Sequence, residues 1–250
     1  MKNLYCSLIV LSCLSTNGFA FEPLGPSVPV LKANEAGIAL EYTWSKLDIE
    51  TEGLTEFGLD SFVIKDSKIN KVQAKLSVSV TKDLELFFRS GIGNLKGESG
   101  DRSDEGLLLG GGFKVAIIRD TAFDLGITAQ TGWSKFNFGP DAFMIDGVAV
   151  SWEEQVSFHE IQVATGPVVK LAENITLYGG PFLHFITGQD EIVGTIDGVN
   201  VEDEFDLDQD HIFGGYIGTQ IQLSSKTDIA VEFQTTESGE GIAASLQYRF

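Results

Sequence analysis

An apolar residue at every second position, recurring in ten separate segments, is the feature that most limits what this chain can fold into. A spacing of two places successive side chains on opposite faces of a β-strand. The pattern runs through Ile38, Leu40, Tyr42 and Trp44, and through Val72, Ala74, Leu76, Val78 and Val80. It returns in segments led by Leu84, Leu107, Phe123, Ile161, Ile175, Phe213 and Ile229, and closes on "GIAASLQYRF", with Ile242, Ala244, Leu246, Tyr248 and Phe250 on one face. No stretch beyond residue 20 approaches the roughly 18 uninterrupted apolar residues of a membrane helix.

Alternation alone does not say which face points inward; the composition of the polar face does. It carries Gly91, Gly93, Gly110, Gly112, Gly126, Gly132, Gly166, Gly180, Gly214 and Gly218, with Ala, Ser, Thr and Gln between them. Glycine weakens strands, so a solvated face would hold Lys and Glu instead. Small residues belong where space is short, inside a narrow barrel, which leaves the apolar face to lipid. A strand can cross a bilayer only if closure satisfies every backbone group. The expectation is an all-β, closed, antiparallel, up-and-down transmembrane barrel of about ten strands, with eight as the alternative. Pro167 and Pro181 fall inside the sixth and seventh strands, where each removes a ladder hydrogen bond, and predict a bulge, a shortened strand or a weak seam there.

The connections alternate in length. Those around 48–69, 94–105, 135–153 and 188–210 are long, and those at 82–83, 119–120, 171–174 and 224–227 are short. Trp44, Trp133 and Trp152 stand beside long connections, whereas Tyr248 and Phe250 fall at the other end, the placement of two interfacial aromatic girdles.

At the N-terminus, "MKNLYCSLIVLSCLSTNGFA" joins a lysine, a short apolar run and the small residues Gly18 and Ala20, and reads as a secretory signal over 1–20. Acylation at Cys13 is the competing reading, for which Leu11 fits poorly. Both cysteines, Cys6 and Cys13, lie in this segment, so the mature chain would carry neither thiol chemistry nor disulfides. Residues 21–36, with three of the six prolines and no periodicity, read as an extended periplasmic arm, and 37–250 as the barrel.

The chain resembles the small Gram-negative outer-membrane β-barrel proteins, on the signal, the alternating strands, the asymmetry of the connections and the terminal "LQYRF". In that superfamily a final aromatic residue, with apolar residues at alternate positions before it, marks the strand for the barrel-assembly machinery. The resemblance assigns that role to Tyr248 and Phe250. It implies residence in the outer membrane with long loops extracellular and termini periplasmic, lipid and the assembly machinery as partners, and a monomer.

The sequence holds 17 basic and 36 acidic residues, a formal charge of −19, which excludes nucleic acid as a partner. Most of the acids fall in the long connections. There Asp206, Asp208 and Asp210 have the spacing that opens an EF-hand, but His211 stands at its glycine and Ile217 at its closing glutamate. Only loose divalent-cation binding is left to them, and no cofactor is expected. By parity Lys71, Lys75, Glu85, Arg89, Lys114, Asp124, Glu160, His184, Glu232 and Arg249 face the lumen. Charges in a narrow lumen must pair or stay wet. They would hold the barrel together or, alternatively, set the selectivity of a thin cation-favouring channel. Catalysis has little to stand on, because no stretch carries the pattern of the omptin proteases. The functional expectation is a structural or surface-interacting envelope protein with acidic outer loops, with the channel as alternative and a loop-based enzyme using His211 behind it.

Overall fold

The structure is a computed structural model that describes residues 21–52, 61–96, 102–120, 122–145, 148–196, 198–208 and 213–250. The signal segment lies outside the described residues. Eleven strands follow in chain order: β1 (Ala36–Glu52), β2 (Ser61–Thr81), β3 (Leu84–Lys96), β4 (Gly106–Arg119), β5 (Asp124–Ile145), β6 (Val148–Ala172), β7 (Ile175–Ile196), β8 (Val199–Asp208), β9 (Phe213–Gln222), β10 (Thr227–Thr236) and β11 (Gly239–Arg249).

Each strand pairs antiparallel with its neighbour, and β11 returns to β1 from Gly37↔Arg249 to Leu47↔Gly239, which closes the wall. β8 and β9 are successive lengths of a single barrel strand. β8 runs beside the outer half of β7 (Ile196↔Val199 to Thr187↔Asp208) and β9 beside its inner half (Leu183↔Phe213 to Ile175↔Ile221). The barrel therefore has ten strands, not eight. β10 and β11 are short, and above their hairpin β8 reaches across to β1 at Glu50↔Asp208 and Thr51↔Leu207.

The alternation predicts the faces. Outward residues such as Leu40 (58% exposed) and Leu76 (53%) stand next in sequence to Glu41 and Lys75, which are buried. This apolar exterior is the surface a bilayer requires. The long connections are corrected by the ladders: 135–153 is mostly the β5–β6 hairpin, paired as far as Ile145↔Val148, and 188–210 is mostly the β7–β8 hairpin. Beyond the lipid belt the outward positions turn polar and the apolar residues move to the inward face, where Phe136, Phe138, Val156 and Phe158 are buried, so the outward apolar series ends while the backbone pairing continues.

The two prolines mark a seam. β6 and β7 pair as far as Ala164↔Phe182 and resume in the same register at Val168↔Tyr178, leaving Thr165–Gly166–Pro167 opposite Gly179–Gly180–Pro181 without rungs. The backbones press together there: a Cβ on Gly166 would lie 1.9 Å from the Gly179 carbonyl oxygen.

The arm is the principal correction. Expected outside the barrel, it runs inside it, with Phe21, Leu24, Val28 and Leu31 all buried. It enters the tight-turn end through a reversal at Lys32–Glu35, where the Glu35 N–H donates to the Lys32 carbonyl (3.0 Å) and Asn34 takes a left-handed conformation (φ 63°). Asn tolerates that conformation better than most side-chain-bearing residues.

Candidate functional site: a charged lumen filled by the N-terminal arm

A segment inside a barrel has no ladder to join, so its backbone groups need partners from the wall. Pro23, Pro26 and Pro29 remove three donors from that requirement. The other contacts are supplied one by one. The Glu22 N–H donates to Glu160 Oε1 (3.2 Å), and those of Leu24 and Gly25 donate to the two oxygens of Glu232 (2.9 and 2.7 Å). The Val30 N–H donates to Glu85 Oε2 (3.0 Å). The carbonyl of Glu22 accepts from Gln234 Nε2 (2.8 Å), that of Pro23 from Arg89 Nη2 (2.6 Å) and that of Pro26 from Lys114 Nζ (2.8 Å). Ser27 Oγ donates to the Gly166 carbonyl (2.6 Å), inside the seam.

Two buried ion clusters flank these contacts. In the first, Lys71 Nζ lies 2.7 Å from Glu22 Oε1 and 3.3 Å from Glu160 Oε2, and His184 Nε2 lies 2.9 Å from Glu160 Oε1. Phe21 covers this cluster, edge-on to Phe182 at 5.9 Å and tilted against His184 at 4.9 Å. In the second, Glu41 takes Lys75 at 2.7 Å and Arg89 Nε at 2.6 Å, while Arg89 Nη1 donates to Gln130 Oε1 at 2.9 Å and its guanidinium stacks over Phe87. Several inward glycines make room for the arm. A Cβ on Gly126 would lie 2.4 Å from the Ser27 carbonyl oxygen, and one on Gly241 would lie 2.9 Å from the Phe21 ring.

Of the residues assigned to the lumen by parity, Lys71, Lys75, Glu85, Arg89, Lys114, Glu160, His184 and Glu232 are buried there. Asp124 sits at the tight-turn mouth, half-buried and 2.9 Å from Arg119 Nη1, and Arg249 pairs with the buried Asp228. Glu41 and Asp228 were missed, although their parity was legible. Glu22 was missed because the arm carries no periodicity. A cavity of about 30 Å³ beside the arm is bordered by Glu41, Lys75, Lys114 and Glu232, and a vestibule of about 260 Å³ opens at the tight-turn end.

Trp44 and Trp133 are half-buried, whereas the Trp152 side chain lies outside the described residues. Tyr248 and Phe250 are exposed at the tight-turn end, their rings 5.8 Å apart. Asp206 is exposed on β8; the side chain of Asp208, all of Asp210 and His211 lie outside the described residues. Among the described residues no group of three or more His, Cys, Asp or Glu side chains is placed to hold a metal ion.

A closed antiparallel wall, apolar outside and charged within, defines a transmembrane β-barrel of the outer-membrane class. No family model matches the sequence, and no curated protein matches it either. Solved structures match in fold. The outer membrane protease OmpT from Escherichia coli aligns over 86% of this chain and 97% of its own at 10% identity, with a TM-score of 0.55. The translocator domain of the autotransporter NalP from Neisseria meningitidis aligns over 86% and 88% at 8% identity (TM-score 0.44), and Ail of Yersinia pestis over 87% and 99% at 12% (TM-score 0.31). The first is a likeness of fold, and the other two superpose too loosely to carry an argument.

Proposed function

We propose that this chain is a closed, non-conducting outer-membrane barrel with a structural and surface-interacting role, plugged by its own N-terminal arm and presenting the strand extensions of its long end outward. The observation that carries the reading is the course of Phe21–Leu31 through the lumen, bonded to the wall at Glu160, Glu232, Arg89, Lys114 and Glu85. The cavity of about 30 Å³ beside the arm has room for about two waters. At the long end, exposed Glu153, Glu202, Glu204 and Asp206 would attract cations and repel polyanions over about 8 Å at physiological salt.

The channel reading has one observation in its favour: the wall behind the arm is itself polar and charged. Planar-bilayer recording tests both. The full mature protein is expected to give no unitary current, and a variant lacking residues 21–33 to give a reproducible one. Reproducible currents from the full protein would sink the plugged-barrel reading. No catalytic role is proposed, since the His184–Glu160 pair is sealed beneath Phe21 with no route for a substrate.

A further inference from the structure

The outer wall carries a run of cations that the fold does not need. Lys46 of β1, which has Glu240 of β11 on its other side, stands opposite Lys68 of β2, Lys68 stands opposite Lys96 of β3, and Lys96 bridges to Arg102. Like charges on directly opposed strand positions repel and destabilise the pair. In a chain of net charge −19, four cations side by side are also against the odds of composition. Lys68, Lys96 and Arg102 are exposed, and none has a carboxylate within ion-pair distance among the described residues. Arg102 Nε donates to Asn94 Oδ1 (3.1 Å), and Glu105 stands at the edge of the same groove.

Their depth is specific. The outward positions of β2 are apolar from Val80 through Val72, then turn to Asn70 and Lys68. The eight steps from Val72 to Val80 at about 3.4 Å each, tilted by about 40°, give about 21 Å of apolar wall, close to the height of a lipid-facing band. The cations therefore begin where hydrocarbon ends. Trp44 and Tyr42 mark that boundary, the Tyr42 hydroxyl donating to Asn70 Oδ1 (3.0 Å), and Lys68, Lys96 and Arg102 above them border a groove of about 540 Å³. Directly below, Tyr42, Val72 and Ile92 share one rung, and Ile38, Leu76 and Phe88 another, all facing lipid.

We propose that this groove binds the headgroup of an anionic phospholipid, one whose phosphate is not neutralised by a cation of its own. Its phosphate lies along Lys68, Lys96 and Arg102, and its acyl chains lie down the apolar rungs of β1–β3. Three cations on strand positions about 4.8 Å apart span about 10 Å, room for a phosphorylated headgroup. The phosphate supplies the negative charge that the described protein leaves out beside Lys68, Lys96 and Arg102, and the rungs below supply the lipid-facing surface that a free phosphate would not use. The inference rests on the barrel crossing a bilayer, and it is independent of whether the lumen conducts.

The test uses the full mature protein folded in phosphatidylcholine vesicles doped with chain-brominated phosphatidylglycerol or, separately, with chain-brominated phosphatidylcholine. The readout is quenching of Trp44 emission, isolated by difference from Trp44→Phe. Phosphatidylglycerol should be preferred by a factor that grows from about fivefold for one engaged cation toward about a hundredfold for three. The variant Lys68→Gln/Lys96→Gln/Arg102→Gln should lose the preference while keeping heat-modifiable mobility, and Lys68→Gln alone should lose about fivefold of it. Inorganic phosphate should not displace the brominated lipid. In undoped phosphatidylcholine the triple variant should unfold at higher urea than the parent, because the like-charge repulsion is gone. Equal quenching by the two lipids, an undiminished preference in the folded variants, or displacement by inorganic phosphate would each overturn the assignment.

Discussion

Replacing Lys71 by methionine removes the cation that ties the arm to the wall while keeping most of the side-chain volume. Lys71 Nζ holds Glu22 at 2.7 Å and Glu160 at 3.3 Å, with all three side chains buried. The two carboxylates do not lose equally. Glu160 keeps His184 at 2.9 Å and the Glu22 N–H at 3.2 Å. Glu22 keeps one neutral donor, Gln73 Nε2 at 3.3 Å, and its Oε2 has no protein partner even in the parent. The uncompensated charge therefore falls on Glu22. Breaking a buried ion pair from one side costs about 3–5 kcal/mol. Withdrawal of the arm's tip is the competing response, and it exposes Phe21 and Leu24 at about 1.5–3 kcal/mol each. These costs are alternatives of similar size, so Lys71→Met should cost about 3–5 kcal/mol by either route. Equilibrium urea unfolding in vesicles measures the loss. A thiol introduced by Val28→Cys, protected in the parent and labelled in the Lys71→Met background, shows whether the arm has withdrawn. Adding Glu22→Gln to Lys71→Met should recover at least about 2 kcal/mol, the coupling expected of a contacting pair. A loss below about 1 kcal/mol with the thiol still protected would refute the account of a wall-bound arm.

Other outcomes follow from the wall. Gly166→Ala places a methyl 1.9 Å from the Gly179 carbonyl oxygen, where only backbone can yield, and should cost at least the roughly 1–3 kcal/mol of an overpacked site, read by the urea midpoint. Amide exchange should be faster at Thr165, Gly166, Gly179 and Gly180 than at the paired rungs on either side, measured by mass spectrometry of the folded protein. Leu40→Arg puts a charge at an exposed position of the apolar belt and should cost about 2–4 kcal/mol in a bilayer, with a much smaller loss in detergent, compared by unfolding in the two media.

The residues that spoke plainly in the sequence were those whose environment changes every second position. Leu40 beside Glu41 and Leu76 beside Lys75 announce a wall with lipid on one side and a packed polar lumen on the other. That contrast, repeated around the chain, is enough to give the closed barrel, its ten strands, its inward glycines and most of its lumen charges. The same logic marked Pro167 and Pro181 as a break in one ladder, because a missing N–H is a local property of the residue. It failed where the contrast disappears. From Phe136 on the apolar residues take the inward face, with Phe136 and Phe138 buried, so the outward series breaks off and a hairpin that the backbone sustains to Ile145↔Val148 reads as a loop.

The arm lay outside this logic altogether. Phe21–Leu31 has no period because it belongs to no sheet, and three prolines with scattered apolar residues describe a tail in water as well as they describe a plug. What separates the two is the spacing of partners fixed by strands far away in sequence: Glu232 beneath Leu24, Arg89 beside Pro23, Gly126 cleared for Ser27. The cation row has the same origin. Lys46, Lys68, Lys96 and Arg102 are scattered along the chain and become neighbours only through strand register. Alternation is written into neighbouring residues and can be read from them. Long-range pairing belongs to the closed barrel, and only the closed barrel could decide what fills its lumen and what gathers on its wall.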